Sequence, residues 1–310
     1  MIGSPHVTTR VFEAKGRIAV SDRGASAAEL SSRMPGLIGK AREIAASVVH
    51  GVHGRRRAGQ GETFWQFRPF TAGEAAQRID WRRSARGDHL YVRDHEWEAA
   101  HSYFLWLDCS PSMAFVSSLA HDAKMDRAIT LGLALADVLV RGGERAALLG
   151  VTKTISARDV IERLALALVE GAEEIAASEA PPHAALPSRA KIVMISDFLC
   201  DAKELGERLR DYAAAGATGA LLMIVDPAEE SFPFSGETLF LDTDSEGSFH
   251  AGRAETFRRA YEERLARHRE EIGVAARSAG FSLQLHRTDH SAAEALLTLI
   301  MGLYAGSELY

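Results

Sequence analysis

Cysteine is nearly absent from this chain. Cys109 and Cys200 are the two it has, too few for a disulfide framework, and they fit a reducing compartment. Long hydrophobic runs are missing too: no stretch approaches the ~20 apolar residues that cross a bilayer, so no membrane span is expected. Met1 to Ala14 carries no apolar core ahead of a small-residue cleavage site. No signal peptide is therefore read there, and cytoplasmic residence follows by default. No Gly-x-x-x-x-Gly-Lys-Ser/Thr loop exists to cradle phosphates, which excludes a P-loop ATPase. Nor does Gly-x-Ser-x-Gly surround Ser110, as a hydrolase elbow would need. A haloacid dehalogenase pattern fails because the residue two beyond Asp108 is Ser110, not a second aspartate. His50 and His53 have no carboxylate or cysteine beside them and read as solvent-facing. Basic excess is missing as well. The formal net charge of −6 argues against wholesale nucleic-acid binding. That function stays a minor alternative through Arg55, Arg56, Arg57, Arg82, Arg83 and Arg86 with Trp65 and Trp81.

What is present is an ordinary globular composition, 46% hydrophobic and 25% charged over 310 residues, enough for one large domain or a domain with an extension. Residues 1–34 mix Gly, Ser, Arg and acids without periodicity and read as a loose N-terminal arm. Residues 35–100 form an arginine- and tryptophan-rich segment expected to pack on the core. There Pro35-Gly36 opens a helix through Leu37, Ile38, Ile44 and Val48, and strands are expected at Thr63 to Phe67 and His89 to Arg93. Residues 101–310 alternate strand and helix. Apolar runs at 103–107, 146–151, 191–196 and 220–225 read as strands, 281–286 alternates like a half-buried strand, and 122–141, 160–169, 202–215, 254–279 and 292–304 read as helices. This rhythm predicts an α/β fold with a doubly wound, mainly parallel sheet covered on both faces.

The chain is organised around Tyr103-Phe104-Leu105-Trp106-Leu107-Asp108-Cys109-Ser110-Pro111-Ser112-Met113. An apolar strand ends in an acid, and two hydroxyls follow at alternate positions. Ligands of open α/β sheets bind outside the carboxyl ends of the strands. Side-chain oxygens at alternate positions of a tight loop can turn toward one point, which suits a hard cation such as magnesium or manganese. Asp197 ends a second strand of the same design and is the natural partner of Asp108, Ser110 and Ser112. The same residues have a plainer use, since Asp and Ser after a strand commonly cap the next helix. Both readings stay open. Cys109 and Cys200 each follow an acid-terminated strand and read best as small buried residues.

The Asp-x-Ser-x-Ser pattern resembles the metal-ion-dependent adhesion site of von Willebrand factor A domains. That resemblance implies Asp108, Ser110, Ser112 and Asp197 as ligands of a magnesium or manganese ion. It also implies a threonine on the intervening loop, where this chain has none between Ser156 and Ala217 and offers only Ser178 or Ser188. Upstream, Gly59-Gln60-Gly61-Glu62-Thr63-Phe64, Arg68, Gly73-Glu74, Arg78-Ile79-Asp80-Trp81, Ser84-Ala85-Arg86 and Tyr91-Val92-Arg93 follow in fixed order. This series resembles the bacterial family catalogued as domain of unknown function fifty-eight, over roughly Gly51 to Asp289, whose members carry such a segment before a von Willebrand A-like domain. The resemblance implies a von Willebrand A-like, Rossmann-type domain with an N-terminal strand-rich extension. It further implies a non-catalytic adaptor that works with a MoxR-type AAA+ ATPase on the maturation of, or metal insertion into, a client protein. Arg78, Arg82, Arg83 and Arg86 would then serve adhesion, or else bond internally while Asp80 pins a turn and Trp81 packs in the core. Metal-dependent hydrolysis at the same strand end is the enzyme alternative.

Overall fold

The computed structural model describes residues 9–13, 27–53, 64–71, 74–87, 89–95, 100–177, 179–242 and 248–305. Its strands are β1 (Thr9–Glu13), β2 (Phe64–Pro69), β3 (Tyr91–His95), β4 (Ser102–Leu107), β5 (Arg145–Leu148), β6 (Lys191–Ser196), β7 (Thr218–Val225), β8 (Thr238–Asp242), β9 (Ser248–Ala251) and β10 (Phe281–Arg287). The α-helices are α1 (Ala27–His53), α2 (Trp81–Ser84), α3 (Lys124–Arg141), α4 (Val160–Glu170), α5 (Ala172–Ala176), α6 (Ala202–Ala214), α7 (Pro227–Ser231), α8 (Arg258–Ser278) and α9 (Ala292–Ala305). The chain divides into two units: residues 51–100, and the two flanking stretches together.

In the larger unit five strands form an all-parallel sheet in the order β10-β7-β6-β4-β5. The apolar runs of β4, β6 and β7 are nearly continuous because helices cover both faces, while the edge strand β10 alternates and is half-buried. On one face Trp106, Met194, Leu221 and Met223 pack with Leu205, Leu209 and Tyr212 of α6 and Ile272 and Ala276 of α8. On the other lie α3, α4 and α9. There α3 approaches β4 closely at Gly132, where an added Cβ would stand 2.4 Å from Leu107 Cδ2. Successive residues Trp106 and Leu107 thus face opposite layers, as the two-residue strand period requires. The doubly wound α/β arrangement expected from the sequence is present.

The N-terminal arm departs from the expectation. Thr9–Glu13 pairs antiparallel with β8, and α1 starts at Ala27, well before Pro35. The buried stripe Leu30, Met34, Leu37, Ala41, Ala45 and Val48 recurs every three or four residues, so burial outweighs the proline. Pro35 is exposed, and the amide it lacks would have met Ser31 on the wet side. α1 is tied to the start of α3 by Arg33–Asp126 at 2.7 Å and Lys40–Asp122 at 2.6 Å. Residues 35–50 therefore belong with the larger unit.

In the smaller unit β2 and β3 form an antiparallel pair with an irregularity between Phe64 and Gln66. Ile79 bridges to Val92, and both are buried. The charged helix expected from Ala254 begins as a 3-10 turn, Ala254–Phe257, before α8. The short elements α5 and β9 carry no periodicity long enough to read.

Candidate functional site

Strand order decides where a site can form. From β4 the chain steps sideways to β5, then crosses back over β4 to β6 and continues outward to β7 and β10. At that reversal the loops leaving β4 and β6 diverge and open a crevice at the carboxyl ends. Asp108 follows β4 and Asp197 follows β6. The Asp108 N–H donates to the Ile195 carbonyl at 3.0 Å, extending the β4–β6 pairing past the strand.

The expected quartet Asp108, Ser110, Ser112 and Asp197 is buried here. Asp108 Oδ1 accepts the Ser110 N–H at 2.8 Å, and Oδ2 accepts the Ser196 hydroxyl at 2.6 Å. Ser196 in turn accepts the Phe198 N–H at 2.8 Å. The Ser110 and Ser112 hydroxyls lie 3.2 Å apart. Capping is realised only locally: Asp108 pins its own turn, while Ser110 precedes the 3-10 turn Pro111–Ala114 without a side-chain cap bond. Burial, and after it the charge of Asp197, push the Asp108 carboxyl up to about 7, against the opposing hydrogen bonds from Ser196 and Ser110.

Lys124 and Glu229 complete the cluster, and sequence reasoning missed both. Lys124, at the start of α3, is fully buried, and its ammonium donates to Asp197 Oδ2 at 2.8 Å and to Glu229 Oε1. Burial alone would lower its pKa, but Asp197 and Glu229 beside it more than reverse that and hold it charged. Glu229 reaches this point because it closes a capping box on α7 with Asp226, the acid that ends β7. Asp226 Oδ2 also accepts the Ser117 N–H at 2.9 Å, which fastens the loop after β4 to the end of β7. The one sequence signal was a third acid-terminated strand; a lysine opening a helix reads as solvated. Asp197 and Glu229 also line a cleft of about 870 Å³ between α6 and α8.

A divalent ion tests poorly against this donor set. Asp108 and Asp197 accept a donor on every carboxylate oxygen, Asp197 Oδ1 from the Leu199 N–H at 3.1 Å. A full positive charge already faces Asp197. Ser188, one substitute for the missing threonine, is exposed just before β6, at the opposite end of that strand from Asp197. Ser178 lies outside the described residues. Among the described residues no group of three or more His, Cys, Asp or Glu is placed to hold a metal. Ser110 lies beside Asp108 and Ser112, and Asp108 feels the Asp197 charge, but these residues do not fit a resident magnesium or manganese.

Both cysteines are buried. Burial and then the Asp108 charge push the Cys109 thiol up to about 12, and Cys200 is raised by the same two causes. They are small core residues, inert at neutral pH.

Arg78, Arg82, Arg83 and Arg86 belong to the smaller unit. Asp80 pins the turn as expected, accepting the Arg83 N–H at 2.9 Å, and Ser84 bonds the Asp80 carbonyl at 2.8 Å while accepting the Tyr91 N–H at 2.9 Å. The expectation of a packed Trp81 is overturned: the indole is 62% exposed. The turn is held by Asp80 and Ser84 hydrogen bonds, so the ring is not required to anchor it. Arg82, Arg83 and Arg86 are exposed around it, with the Arg83 guanidinium 5.7 Å above the Tyr91 ring. The side chain of Arg78, and all of Arg55, Arg56 and Arg57, lie outside the described residues.

The fold and site define a doubly wound parallel α/β protein with an acid-hydroxyl cluster at its topological switch point. The family described as protein of unknown function DUF58 matches residues 66–271, and the chain belongs to it. A solved structure described as conserved hypothetical protein BatB from Bacteroides thetaiotaomicron is similar at 14% identity. It covers 66% of this chain and 100% of its own, with a TM-score of 0.34, a likeness too distant to carry a functional inference. No curated protein matches. Among the described residues no helix is long and apolar enough to cross a membrane.

Proposed function

We propose that this protein is a non-catalytic interaction adaptor that partners a MoxR-type AAA+ ATPase in the maturation of, or metal insertion into, a client protein. The observation that carries the reading is Trp81, 62% exposed and flanked by exposed Arg82, Arg83 and Arg86. Tryptophan and arginine are the side chains most enriched at binding hot spots. An indole left in water at no structural gain is best accounted for by a partner that covers it. The ATPase as partner comes from the family resemblance. The strand-end cluster fits a degenerate adhesion site of the von Willebrand A type. Metal-dependent hydrolysis has no support in a site whose acids are occupied by Lys124 and local donors.

Co-purification with an ATPase encoded beside this gene tests the reading. Wild type is expected to retain it, and Trp81→Ala to lose on the order of 30-fold in affinity, the scale of one hot-spot residue. The melting temperature of Trp81→Ala should stay unchanged. Failure of the wild type to retain the ATPase in either the nucleotide-free or the ATP-bound state would reject the proposal.

A further inference from the structure

We propose that the Lys124 ammonium takes the place of a divalent ion at the mouth of the sheet, as a tethered cation that makes the site independent of metal. The argument is one of position and charge. Asp108, Asp197 and Asp226 end three adjacent strands, and Glu229 follows on α7. So many acids at the carboxyl end of the sheet need a cation, since a buried carboxylate is tolerated only when paired or hydrogen-bonded. Lys124 supplies it from α3, with the ammonium shared between Asp197 and Glu229 and 5.8 Å from the Phe115 ring centre. The side chain is 1% exposed, so water screens these pairs little.

The tether does what a bridging metal would do. It links the start of α3 to the loop after β6 and to α7 after β7, so three separate segments converge on one charge. Asp108 is settled without it, by Ser196 and the Ser110 amide. An arriving magnesium would have to dislodge an ammonium already hydrogen-bonded to the carboxylate it needs. It would also have to gather a near-octahedral oxygen shell from acids already engaged. A covalently attached cation has no dissociation equilibrium, so a chelator cannot remove it. The inference concerns the cluster alone and stands whether or not an ATPase is the partner.

The experiment uses the full chain, dialysed against chelator and then titrated with magnesium or manganese chloride while thermal unfolding is followed. Wild type is expected to melt within about 1 °C of the same temperature in chelator and in ~5 mM of either metal. Lys124→Ala should melt about 10 °C lower in chelator, because Asp197 and Glu229 lose their shared cation. Manganese should then recover part of that loss. Saturable stabilisation of wild type by either metal, abolished in Asp108→Ala, would overturn the proposal. So would a Lys124→Ala protein as indifferent to manganese as wild type. Should Lys124→Ala fail to fold, Lys124→Met with Asp197→Asn removes both charges at nearly constant volume. That double variant is expected to melt at the same temperature with and without metal, and the wild-type titration still decides.

Discussion

At the scale of single residues, the larger unit holds its loops with buried charge. Arg127 donates to the Thr288 and His290 carbonyls at 2.8 and 2.9 Å, pairs with Asp122 at 3.1 Å and meets His286 Nε2 at 3.3 Å. His286 Nε2 faces a donor and must accept, so the ring is neutral. Burial, and after it the Arg127 charge, lower its pKa to about 4. The unfolded chain therefore binds this proton below the ordinary histidine value of 6.5, while the folded chain resists it until about 4. Stability tied to His286 is present above pH 6.5 and is lost as pH falls through that window, by about 3 kcal/mol at most. His286→Gln should flatten the slope of unfolding free energy against pH in chemical denaturation between those limits. An unchanged slope would show that another group governs acid unfolding.

At the scale of elements, glycines report how closely layers approach. Gly39 lies exposed in α1, and a Cβ there meets nothing within 4 Å. Gly39→Ala should stabilise by roughly 0.5–1 kcal/mol, since alanine loses less backbone freedom in a helix. Gly219 sits in β7 opposite Ile192 of β6, where a Cβ would stand 1.8 Å from the Ile192 carbonyl oxygen. No rotamer relieves a clash with backbone, so Gly219→Ala should cost about 3 kcal/mol or more and shift the urea midpoint accordingly. A neutral result would mean that β6 and β7 separate there without penalty.

At the scale of the whole molecule, charge is unevenly shared. Residues 51–100 carry nine arginines and no lysine against seven acids, within a chain of net charge −6. If the smaller unit's arginines contact a partner, capture should weaken as salt rises from about 0.05 to 0.5 M, as the Debye length shrinks to a few ångströms. A salt-independent complex would place the contact elsewhere.

The sequence by itself determined the sheet. Four apolar runs and one alternating stretch, separated by helical periods, and acids at two strand ends placed Asp108 and Asp197 before any contact was known, because strand burial and side-chain period are written locally. Asp80 as a turn residue was equally local. Tertiary structure decided the rest. Lys124, Ser196 and Glu229 lie 16, 88 and 121 positions from Asp108, and no short-range pattern announces that they converge. α1 ran through Pro35 because a buried stripe outweighed one missing amide, and Trp81 stayed outside because hydrogen bonds already held its turn. The sheet-mouth acids were legible as chemistry; that their cation is a lysine became visible only once distant segments met in a water-poor crevice.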